Sequence, residues 1–130
     1  MRAVVDAVAG MLRAAGVGDV FCIAPSALLS EQPVVVRWAG FSRESRQDGE
    51  ERGVASVEVF AVRETDAAAR DAAFLCEAAV RSSGRAEWNV AGSGVRILGI
   101  DTDAPAFRER DSSGRFVWAF TVRLTVAREI

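Results

Sequence analysis

Residues 116–128, Phe-Val-Trp-Ala-Phe-Thr-Val-Arg-Leu-Thr-Val-Ala-Arg, decide the fold of this chain. Phe116, Trp118, Phe120, Val122, Leu124 and Val126 alternate with Val117, Ala119, Thr121, Arg123, Thr125 and Ala127. Side chains on a strand point alternately to opposite faces, so a period of two held this long specifies a long strand. One of its faces is wholly apolar; the other is small, hydroxylic and, at Arg123, charged. The preceding Asp111-Ser112-Ser113-Gly114 is a turn signature, because Asp and Ser bond their own backbone and Gly accepts a positive φ. Residues 106–110 and those from Arg115 onward are therefore expected to form a hairpin.

Working outward, residues 65–81 carry an alanine-rich helical face through Ala69, Ala72, Ala73, Cys76, Ala79 and Val80, with Phe74 and Leu75 adding width. Thr65 or Asp66 is the expected N-cap, and Ser82-Ser83-Gly84 the end. Upstream, residues 57–63 have strand pattern, as do 33–39, which are rich in β-branched residues after Pro33. Between them, residues 42–53 contain no apolar side chain and are expected to form a mobile polar hairpin arm, either a solvated hairpin tip or a projecting arm that orders against a partner. At the N-terminus, Val4, Val5, Val8, Met11, Leu12 and Ala15 recur at helical spacing until Gly16, so residues 2–15 read as an amphipathic helix. Residues 20–23 form a short apolar strand candidate, and 26–32 a connector. Residues 85–90 and 95–100 read as an extended segment broken at Gly92-Ser93-Gly94. These glycines lack the offsets and the Lys of a phosphate-binding loop.

At 130 residues, with half of them hydrophobic and a mean hydropathy of +0.14, the chain suits one globular domain spanning 1–130. The expected fold class is α+β, a mostly antiparallel four- to five-stranded sheet with two helices packed on one face. All 16 basic residues are Arg, set against 18 acidic residues and interleaved with them, for a net charge of −2. Phosphate-backbone binding needs a basic face, so no sequence-specific nucleic acid partner is expected. No run has the length of a membrane span, and residues 1–15 carry Asp6 and Arg13 where a signal peptide needs an apolar stretch. Synthesis and folding in a cytosol is the expectation.

With no histidine, acid–base and metal chemistry falls to carboxylates alone. The densest set, Asp101, Asp103, Glu109 and Asp111, would need to converge to hold a divalent cation; the simpler reading of 101–105 is a polar turn ending at Pro105. Cys22 and Cys76 lie in apolar runs without CxxC spacing and read as reduced thiols. No catalytic residue, cofactor or metal ligand is assigned. Trp38, Trp88 and Trp118 fall one to each of three strands, where packing is the first expectation; Trp38 or Trp88 could instead meet another subunit.

The order of elements, with residues 57–63 running directly into helix 65–81 and 104–115 leading into an aromatic closing strand, resembles the tail terminator and minor capsid proteins of long-tailed bacteriophages and prophages. That resemblance implies a non-enzymatic α+β virion protein forming a ring, typically a hexamer, which caps the tail tube and joins it to the head connector. Localisation would be the virion, after assembly in the cytoplasm. Candidate interface residues are Arg43, Glu44, Arg46, Asp48, Glu50, Glu51 and Arg52 on the arm, with Trp38 and Arg123 on the sheet. The alternatives are a cytosolic ligand-binding or regulatory domain, which would carry an enclosed pocket, and a carboxylate metal enzyme.

Overall fold

Helix α1 (Arg2–Ala14) exists because Val4, Val5, Val8, Ala9 and Leu12 share one face at helical spacing, and all five are buried. A computed structural model describes residues 2–22, 32–83, 88–90 and 92–129, with residue 88 described by its backbone. Strands β1 (Val20–Phe21), β2 (Val34–Gln47) and β3 (Glu50–Arg63) precede helix α2 (Asp66–Ser82). Strands β4 (Trp88–Val90), β5 (Val95–Thr102), β6 (Ala106–Arg110) and β7 (Phe116–Glu129) follow it. The expected strand residue Ile23, the connector 26–31, residues 84–87 and any packing of the Trp88 side chain lie outside the described residues.

The strands form one seven-stranded sheet in the order β1-β2-β3-β7-β5-β4, with β6 pairing the other end of β7 beside β5. This corrects the expected four or five strands, and the sheet is mixed: β1 runs parallel to β2, while the other pairs are antiparallel. The difference is physical. Strands of two and three residues such as β1 and β4 are too short to show a period, and they exist because a long neighbour offers a hydrogen-bonding edge.

β7 is the central member, pairing β3 along its whole length from Arg63↔Phe116 to Glu50↔Glu129. Its other edge is shared end to end by β6 and β5. Phe120, Val122, Leu124 and Val126 lie opposite Val59, Val57, Ala55 and Gly53, and this apolar face meets both helices. Each such buried aliphatic side chain contributes about 1.5–3 kcal/mol through removal from water. Cys76 and Val80 carry α2 into the same cluster as Val4, Val8 and Leu12 of α1, so both helices lie on one face of the sheet.

The polar stretch 42–53 is neither loop nor connector. Asp48 and Gly49, with φ of 53° and 74°, make a two-residue turn, and every other residue of the stretch belongs to β2 or β3. Positive φ at both central positions is the primed hairpin turn whose twist matches that of the strands, and Asp-Gly is its favoured sequence. β3 stays paired with β7 as far as Glu50↔Glu129, so this end of the hairpin belongs to the sheet; Glu51 and Gly53 are buried there and most of the remaining polar residues are exposed.

Candidate functional site

Among the described residues, no helix covers the second face of the sheet. Val35, Phe60, Val62, Val117 and Ala119 give it apolar patches, and charged side chains lie across them. Arg37 donates to Glu58 at 2.8 Å, and Arg108 from β6 donates to the same carboxylate. Both guanidinium groups sit over the Phe60 ring, at 4.8 and 5.3 Å, so the cation–π contact and the ion pairs reinforce one arrangement. Burial would raise the Glu58 carboxyl; hydrogen bonding and charge from Arg37 and Arg108 outweigh it and hold the group below its ordinary value.

Farther along the face, Arg123 donates to Asp103 at 2.6 and 2.9 Å and to Asp101 at 3.3 Å. Asp111 takes a different role: it accepts from the Ser113 and Arg115 backbone N–H groups and from Arg115 Nε, closing the β6–β7 turn. Of the four carboxylates considered as cation ligands, Asp101 and Asp103 share Arg123, Asp111 pairs with Arg115, and Glu109 is exposed on β6. Among the described residues no group of three or more His, Cys, Asp or Glu has the geometry to hold a metal ion.

At the far end of β2 and β3 the hairpin presents the other candidate residues. Arg43, Glu44, Arg46 and Asp48 are exposed. Arg52 is exposed and bonds half-buried Glu50 at 3.0 Å. Glu51 turns inward and is buried, accepting from Arg128 at 2.7 and 3.1 Å, while Arg128 lies 4.7 Å from the Phe41 ring. That ion pair ties the tip of the hairpin, next to the Asp48-Gly49 turn, to the end of β7. Trp38 is half-buried and packs against the core, and Arg123 is half-buried on the open face.

Two features escaped the sequence reading. Phe107 of β6 is 50% exposed, its ring centroid 6.4 Å from those of Phe116 and Trp118. Phe74 and Leu75 of α2 are also exposed, at 46% and 66%. The alanine-rich pattern placed both within the buried width of the helix, but α2 rests on the sheet through its small residues Ala69, Ala73 and Cys76. A groove of about 490 Å³ runs over Val35, Phe60, Val62 and Val117, rimmed by Arg37, Glu109, Asp111 and Arg115.

No family model and no curated protein matches the chain. Among solved structures it is similar in fold to a chain of the virion of a native gene transfer agent (GTA) particle, with a TM-score of 0.67. The sequences are 17% identical, and the match covers 92% of this chain and 91% of that one.

Proposed function

We propose that this chain is a structural, non-enzymatic protein of a phage-like virion, a tail terminator or a closely related head–tail joining subunit. The carrying observation is the fold likeness to a gene transfer agent virion chain, which takes in nearly the whole of both chains. In this reading the subunit assembles in the bacterial cytoplasm with copies of itself into a ring, a hexamer in the reading that fits a tail end. One surface of the ring meets the tail tube and the other meets the head connector.

The physical features support an assembling subunit. The β2–β3 hairpin is a defined element whose outer strand, β2, is paired only on its β3 side from Val36 to Gln47 among the described residues, so it can meet a neighbour at little ordering cost. Its exposed charges, Arg43, Glu44, Arg46 and Asp48, have both signs, which suits contact with an equally mixed surface. The open face carries its charges in ion pairs and presents carboxylates to arginines rather than to a vacant site.

The test is the mass of the full chain by light scattering over a concentration series, at low and moderate salt, with negative-stain images of the largest species. A concentration-dependent, ring-sized particle with a central opening is expected. A strict monomer across the series overturns the self-assembling ring.

A further inference from the structure

The geometry points to a head-to-tail contact in which the outer edge of β2 in one copy pairs with the outer edge of β6 in the next, making the sheet continuous around the ring. This rests on the ring reading above and names the two surfaces that would build it.

Backbone accounting identifies both edges. β1 pairs with only Val34 and Val35, so the rest of β2 to Gln47 has no strand partner on its outer side among the described residues. Among the described residues β6 pairs β7 on one side only, and all five of its residues are exposed. An open strand edge is a row of unpaired N–H and C=O groups that templates another strand. In the sheet β2 and β6 lie on opposite sides of the β3–β7 pair. Two different patches on opposite sides of a subunit make a heterologous contact, the kind that closes into rings.

The side chains select this pairing over an edge that is merely guarded. β2 has bulges between Trp38 and Gly40 and between Arg43 and Ser45, and β6 has one between Phe107 and Glu109. The residues skipped at the second of the β2 bulges and on β6 are charged with opposite signs, Glu44 and Arg108; Arg108 also donates to Glu58 of its own subunit, so Glu44 of the next copy would share it. An antiparallel register that sets Glu44 against Arg108 also sets Arg43 against Glu109. Phe107 completes the case: beside its charged residues this edge exposes half of an aromatic side chain already braced by Phe116 and Trp118. A second copy laid along β6 would cover it.

Mixing two one-sided variants of the full chain tests the inference. Arg43→Glu/Arg46→Glu alters only the β2 edge, and Phe107→Glu only the β6 edge. Each alone should lose the ring-sized species and sediment as a monomer. Their equimolar mixture should form dimers and nothing larger, because only one intact edge of each kind remains to pair. Leu75→Glu, at an exposed position on α2, should assemble as the parent does. Far-UV circular dichroism checks folding, with Phe107→Ser as the substitute if the glutamate unfolds the chain. Assembly by the parent together with either unchanged assembly by both variants or a mixture that stays monomeric overturns the edge pairing while leaving the ring reading intact. A parent that never assembles overturns the ring reading itself, and this inference with it.

Discussion

Gly53 shows how one residue can hold an element that reads as featureless. A Cβ added there would run into the Ser42 carbonyl oxygen and stand 2.8 Å from Phe41 Cζ and 3.0 Å from Arg43 Cα. Two of these are backbone atoms of the paired strand, so no rotamer change relieves the clash. Gly53→Ala should lower the stability of the domain by about 1–3 kcal/mol in urea unfolding. Gly99→Ala, with nothing within 4 Å of the added carbon, should stay within about 0.5 kcal/mol of the parent or exceed it. A second residue-scale consequence concerns thiol chemistry. Cys76 is 1% exposed, and burial pushes its thiol up to about 11. Native protein at pH 8 should therefore be alkylated at half-buried Cys22 first, with Cys76 reacting at a comparable rate only in denaturant. Equal rates in the folded protein would contradict the buried position of α2.

At the scale of elements, α2 is fastened to the sheet by polar ties near both ends. Trp118 Nε1 donates to Asp66 Oδ1 at 2.8 Å in the first turn, where Thr65 also caps the Ala68 N–H. Near the C-terminal end Glu77 is buried; it accepts from Arg81 at 2.9 and 3.1 Å and from Thr102 Oγ1 of β5 at 2.7 Å. Arg81 first, and then Thr102, hold the Glu77 carboxyl below its ordinary value. Glu77→Ala should cost about 1–3 kcal/mol, and Glu77→Gln, which keeps an acceptor for Thr102, should recover part of that loss. The ties were not legible in the sequence, because residues 77 and 102 are joined only after α2 has crossed the sheet. The helix itself was, since its spacing and its Thr65 cap are local. The β2–β3 hairpin lies between these cases: Asp48-Gly49 is a strong local turn signal, but a stretch empty of apolar residues masked it, and the strands extend there because each has a partner rather than a core.

Across the whole molecule, acid should act through four carboxylates. Hydrogen bonds and charge from Arg123 lower Asp103, and Arg81 with Thr102 lowers Glu77. At Glu58 and Asp111 burial pulls upward, and the arginine partners outweigh it. A carboxyl whose folded value is depressed takes up its proton at higher pH in the unfolded chain, so its stabilisation is present above the ordinary carboxylate range and is lost as pH falls through the folded values. The melting temperature should thus be flat from neutrality to about pH 5 and fall steeply below about pH 4; a flat profile to pH 3 would contradict the ion pairs on the open face. What the sequence alone determined is whatever repeats locally: the two helices, the long closing strand, the turns at 92–94 and 111–114, and the α+β class. Period and turn chemistry depend on neighbours in the chain, so they survive without knowledge of the fold. Only the tertiary structure decided the number of strands, the parallel entry of β1, the division of the acidic residues among arginines, and the exposure of Phe107. Each depends on which distant strand supplies the next edge, and hydrogen-bonding partners far apart in sequence leave no period to read.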